Sequence, residues 1–279
     1  MHIPERDFRE INGIDISYLS RGGGTPFLMI HGLMSNALDF CFQFEEFGNR
    51  FSCIAPDIRG SGMSETPDPD SVSLEQAVDD MLEFITAAIP IDRQFVLLGH
   101  SFGGIISLEL LRRIPERIRG LVIVSSPAAI ADKVVSKIGL RLFKIFFPFL
   151  LPLAPNKAVI DFYSSFINMN PLNLTPDLKL VLRERNNLIE EKDLISIKGY
   201  FSSVPDWYIP SLPEDFDIPA ALIYGDRDPL FSKRDITTLD ALVPNLNIFK
   251  VKGTGHSCMM EKHAVFNSYL NEFFARYNI

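Results

Sequence analysis

The chain has 279 residues, 47% of them hydrophobic and 22% charged, which is the composition of a folded globular protein with a sizeable core and excludes a disordered chain. Its 17 glycines and 19 prolines follow no collagen-like period and form no low-complexity tract. The formal net charge of −8 removes the overall basic surface that nucleic-acid binding needs, so no nucleic-acid partner is expected.

In chain order, the first seven residues are charged and lack the apolar core of a secretory signal. Cys41, Cys53 and Cys258 are odd in number and far apart, so neither a disulfide framework nor a metal knuckle is expected. Both observations predict a cytoplasmic protein. Residues 8–11 and 14–18 read as two strands around Asn12-Gly13, a pair suited to a tight hairpin. Short apolar runs follow at 26–30, 53–55, 95–98, 121–124, 220–224 and 246–251, and such unalternated strands predict a parallel sheet buried on both faces.

Helical patterns fall between most of these runs. The spacing predicts a helix over 74–89, opened by a capping box of Ser73 and Gln76 and stopped by Pro90. Further helices are predicted over 104–113, 233–242 and 260–277. Between 128 and 213 no buried strand is evident, only helix-like pieces between prolines, which predicts a helical cap inserted between core segments 1–127 and 214–279. The apolar stretch 138–154 is interrupted by Arg141, Lys144, Pro148 and Pro152 and is too short to span a membrane, so membrane contact is not expected.

The segment 95–104 runs from an apolar strand through Gly99-His100-Ser101-Phe102-Gly103 into a helix. This is the pattern of a nucleophile elbow, in which a serine sits on a strained turn and a Cβ at either flanking glycine would collide with the backbone. Ser101 also opens a helix, whose amide end favours the negative charge that develops during attack. A serine hydroxyl needs a base. Of the five histidines, His2 lies in the terminal tail, and His100 adjoins the serine, where neighbouring strand side chains point opposite ways. His263 falls within the last predicted helix, on what reads as a solvated face, and His31 sits in a loop with another use. His256 remains, in the loop between the last strand and the last helix. The orienting carboxylate is then Asp226 or Asp228, both after the strand at 220–224.

The order Ser101, Asp, His256 resembles the α/β-hydrolase superfamily, and the resemblance extends along nearly the whole chain. It implies a mostly parallel eight-stranded sheet flanked by helices, with the cap inserted. A Gly-x-x-Asp ending of the penultimate strand in similar members assigns the acid to Asp228, with Asp226 second. His31-Gly32-Leu33 looks like the family's oxyanion loop, so the backbone amides of Leu33 and Phe102 would bind the developing oxyanion. Asp57 to Ser64 matches a second family marker and reads as a structural turn beside the site. Relatives with epoxide hydrolase or haloalkane dehalogenase chemistry carry an aspartate at the elbow, so a serine there implies acyl chemistry.

The resemblance implies a serine hydrolase of the carboxylesterase type, acting on a small apolar ester with no metal and no organic cofactor. The same three residues also serve lactonases, thioesterases, carbon–carbon bond hydrolases and perhydrolases, and related scaffolds host lyases, cofactor-free oxygenases and ligand-binding receptors. Phenylalanines crowd at 40–51 and again in the cap. Core packing accounts for most of them, while Phe143, Phe146 and Phe147 are candidates to roof an apolar acyl pocket.

Overall fold

A computed structural model of the chain describes residues 3–68, 72–127, 169–204, 207–208, 212 and 216–279. Eight strands, β1 (Glu5–Ile11), β2 (Ile14–Arg21), β3 (Thr25–Ile30), β4 (Phe51–Pro56), β5 (Phe95–His100), β6 (Ile118–Val124), β7 (Ala220–Gly225) and β8 (Asn247–Val251), form one sheet in the order β1-β2-β4-β3-β5-β6-β7-β8. The β1/β2 and β2/β4 pairs are antiparallel and all others parallel. At the hairpin, Asn12 and Gly13 take φ of 50° and 75°, the left-handed pair that lets a two-residue turn follow the strand twist.

Alternate residues of the parallel strands enter two separate cores, as period-2 geometry requires. Leu28, Ile30, Leu97, Ile123 and Leu222 face α2 (Leu74–Ala88), α3 (Phe102–Arg113) and α6 (Lys233–Leu242). Phe27, Met29, Val96, Val122 and Ile223 face α1 (Cys41–Phe47) and the C-terminal helices α7 (Cys258–Glu261) and α8 (His263–Tyr277). In this second core Phe27, Phe47, Phe51 and Phe274 meet edge-on or tilted at centroid distances of 5.0–6.1 Å. Phe47 and Phe51 of the first phenylalanine cluster are therefore core residues, worth roughly 0.5–1.5 kcal/mol per ring pair beyond their burial.

The described residues between β6 and β7 include α4 (Pro176–Asn187) and α5 (Glu191–Ser203). Residues 128–168, with Phe143, Phe146 and Phe147, lie outside the described residues. Both helices bury apolar side chains, Leu178, Val181 and Leu182 of α4 in the second core and Leu194 and Ile197 of α5 near Leu33, and add polar contacts to core loops. Arg185 of α4 forms a fully buried ion pair with Asp39 at 3.0 Å, and its carbonyl accepts from Asn36 Nδ2 at 3.0 Å. From α5, Asp193 accepts from the Gly62 amide at 2.9 Å, Lys192 donates to the Gly62 carbonyl at 2.6 Å, and the Tyr200 hydroxyl donates to the Arg59 carbonyl. The loop that receives them is braced by Asp57, which accepts from the Ala37 and Met63 amides and from Arg6.

Two local expectations differ from what is found. At the start of α2, Ser73 accepts from the Gln76 amide, but Gln76 Oε1 is buried without a partner, so only half of the capping box forms. The last helix, expected as one piece over 260–277, is broken at Lys262, with φ −131° and ψ 55°. No proline or glycine marks the break. Tertiary partners set it instead, because Glu261 and Lys262 reach back to the residues that precede the helix.

Candidate active site

The sheet order reverses direction around β3, whose chain continues to β4 on one side before returning to β5 on the other. At such a switch point the loops after adjacent strands diverge and leave a crevice. The loop after β3 and the turn after β5 stand side by side there, since Ile30 is in register with Gly99.

Ser101 occupies that turn and caps α3. Its φ of 53° and ψ of −117° are unusual for a residue with a side chain and cost roughly 1–3 kcal/mol. The surroundings hold the conformation: the Ser101 amide donates to the Val124 carbonyl at 2.9 Å, and its carbonyl accepts from Gly104. A Cβ at Gly99 would meet the Ser107 hydroxyl and the Gly103 carbonyl, and one at Gly103 would meet the Ile30 carbonyl. Only glycine lets strand, turn and helix pack this closely.

The loop at His31 to Leu33 crosses directly over this turn, such that a Cβ on Gly32 would lie 3.0 Å from the Ser101 Cβ and 3.3 Å from His100 Nδ1. His31 anchors it. Its buried ring, kept neutral by desolvation, accepts at Nε2 from the Ile58 amide at 3.0 Å while Nδ1 meets the Gly32 carbonyl at 2.7 Å. Leu33 leaves this crossing and Phe102 opens α3 beside Ser101.

His256 lies in the loop between β8 and α7, and its Nδ1 donates to Asp228 Oδ2 at 2.8 Å with both side chains buried. Burial works to raise the Asp228 carboxyl, but the hydrogen bond and charge of His256, with the Leu230 amide, outweigh it and hold the group below its ordinary value. An ionised carboxylate accepts only, so the proton of a neutral His256 sits on Nδ1 and Nε2 is left as a base. Asp226 turns away from this pair and accepts from the Gly253 amide at 2.6 Å.

His100 contributes more than its place beside Ser101 predicts. Its ring packs on His256 at a centroid distance of 4.8 Å, with Nε2 3.1 Å from the His256 carbonyl and Nδ1 3.9 Å from Asp39 Oδ2. Burial first, then the nearby His256, pushes its pKa down to about 3, so the ring stays neutral and buttresses the His256 loop. His263, expected on a solvated face, instead begins α8 and stacks on Phe42 at 4.0 Å. Sequence reasoning does not reach Asp39 and Arg185, nor Asn170, Asn173 and Glu261, which bond to the His256 loop. No local pattern marks them, because each acts on a partner distant in sequence.

All three cysteines are buried, and desolvation pushes the Cys41 and Cys53 thiols up to about 12, which removes them as nucleophiles at neutral pH. Among the described residues no group of three or more His, Cys, Asp or Glu side chains gathers to hold a metal, and no helix is long and apolar enough to cross a membrane.

A family model for the alpha/beta hydrolase fold matches residues 25–263. The chain is 27% identical over 250 residues to N-formylmaleamate deformylase of Pseudomonas putida, covering 88% of this chain and 87% of that protein. It is 24% identical over 268 residues to cis-3-alkyl-4-alkyloxetan-2-one decarboxylase of Shewanella oneidensis, covering 90% and 82%. Among solved structures, a thermophilic esterase from Thermogutta terrifontis superposes with a TM-score of 0.80 at 18% identity, covering 99% of this chain and 100% of that one.

Proposed function

The chain belongs to the α/β-hydrolase family, and from that premise we propose that it is a serine hydrolase cleaving a carboxylic ester or related acyl bond of a small apolar substrate. The observations that carry this reading are the strained Ser101 turn and, packed against the ring of its neighbour His100, a buried histidine whose Nδ1 is committed to Asp228. Ser101 is the nucleophile. As its oxygen attacks the acyl carbonyl, His256 Nε2 takes the hydroxyl proton, and Asp228 stabilises the imidazolium without being protonated. The oxyanion is bound by the backbone amides of Leu33 and Phe102. Collapse breaks the bond to the alcohol, which leaves with the proton from His256. Water then attacks the acyl-enzyme with the same histidine as base, and the acid and free Ser101 are regenerated.

The name of one relative supports acyl chemistry, since a deformylase removes a formyl group, a carbonyl bonded here to nitrogen. The test is hydrolysis of short p-nitrophenyl esters. Ser101→Ala should lose about 10⁴-fold or more in kcat while retaining its fold. A variant that hydrolyses the ester at the native rate would overturn the assignment.

A further inference from the structure

The loop that carries His256 is fastened at both ends. From one side the turn after β7 holds it, with Asp226 accepting from the Gly253 amide and the Arg227 amide donating to the Thr254 carbonyl at 3.0 Å. From the other side stands Glu261, a buried carboxylate with three donors: the Gly255 amide at 2.7 Å on Oε1, and the Asn170 amide at 2.9 Å and Asn173 Nδ2 at 2.8 Å on Oε2. Asn170 and Asn173 each also send Nδ2 to the Gly253 carbonyl at 2.8 Å. One carboxylate thus links the residue preceding His256 to the segment leading into α4.

These three partners of Glu261 are all amides. Desolvation pushes its carboxyl above the ordinary value, and the three hydrogen bonds only partly reverse this, so keeping a charge here costs stability. The short α7 and the break at Lys262 leave Glu261 facing back over the loop.

We propose that Glu261 is a positioning residue for the base: it fixes the His256 loop against the turn bearing Asp228, and through Asn170 and Asn173 it makes that placement depend on docking of the segment before α4. The inference rests on the reading of Ser101 and His256 given above. An error near 1 Å in a reacting group can cost about 10²-fold in rate. Glu261→Ala should therefore lower kcat about 10²-fold with KM within threefold, and should slow fluorophosphonate labelling of Ser101 in proportion. Glu261→Gln keeps an oxygen for the Gly255 amide but turns its NH2 toward the Asn170 and Asn173 donors, so it should recover only part of that loss and stay about tenfold below native, the level also expected of Asn170→Ala/Asn173→Ala.

A purely structural role would lower Tm yet leave kcat per labelled site unchanged, so a folded Glu261→Ala with native kcat overturns the proposal. If Glu261→Ala fails to fold, native kcat per labelled site in both Glu261→Gln and the double asparagine variant overturns it. Failure of the native protein to label would remove the Ser101 reading and this inference with it, whereas native labelling with unchanged variants removes this inference alone.

Discussion

His100 and Asp193 sit in the fold with proton affinities displaced in opposite senses, and stability against pH should separate them. His100 falls from an ordinary 6.5 to about 3. A group whose folded pKa is lowered stabilises the fold above its unfolded value, and that stability is lost as pH falls from 6.5 toward 3. Between pH 7 and pH 4 the loss comes to about 3 kcal/mol. Asp193 is raised from 3.8 to about 6, chiefly by burial against the opposing pull of Lys192 and the Glu190 and Gly62 amides. Its contribution is fully present below the unfolded value and is lost as pH rises through 6, so over the same interval acidification returns about 2 kcal/mol. The two largely offset each other in the native protein. Urea unfolding followed by circular dichroism at pH 7 and pH 4 should therefore show His100→Gln gaining about 3 kcal/mol on the native protein as pH falls, and Asp193→Asn losing about 2 kcal/mol. Differences from the native protein that stay constant across this range would refute the protonation states assigned to both groups.

Asp228→Asn should lower kcat about 10⁴-fold, because the amide would leave His256 in the wrong tautomer; Asp226→Asn, remote from the ring, should cost far less, and the reverse order in steady-state kinetics would reassign the acid. Arg185→Ala strands the Asp39 charge in the interior and should destabilise by about 3–5 kcal/mol in urea unfolding, while removing both partners should cost less than the two single changes summed. Gly32→Ala puts a methyl 3.0 Å from the Ser101 Cβ and should lower kcat with a smaller change in Tm, as seen by comparing kinetics with thermal unfolding.

The parts of this protein visible in sequence are those set by neighbours along the chain. The apolar runs at 26–30 and 95–98 and the Asn12-Gly13 turn each respond to steric rules that act over a few residues. Gly99 and Gly103 mark the Ser101 turn for the same reason, since the collision that a side chain would cause is with nearby backbone. What stayed hidden depends on contacts between distant segments. Glu261 is five residues from His256, yet its meaning comes from Asn170 and Asn173, about ninety residues earlier. The Arg185–Asp39 pair spans 146 residues, and the strand rule that kept His100 from serving as base gave no hint that its ring would bear on His256. The break at Lys262 follows the same logic, with a continuous helical pattern overridden by bonds to the loop before it.

The most direct test of the central assignment is intact-mass spectrometry after treatment with a fluorophosphonate, on the native protein and Ser101→Ala in parallel. One adduct is expected on the native protein, located on Ser101, and none on the variant. A folded native protein that takes up no label, or a variant that labels equally well, would contradict it.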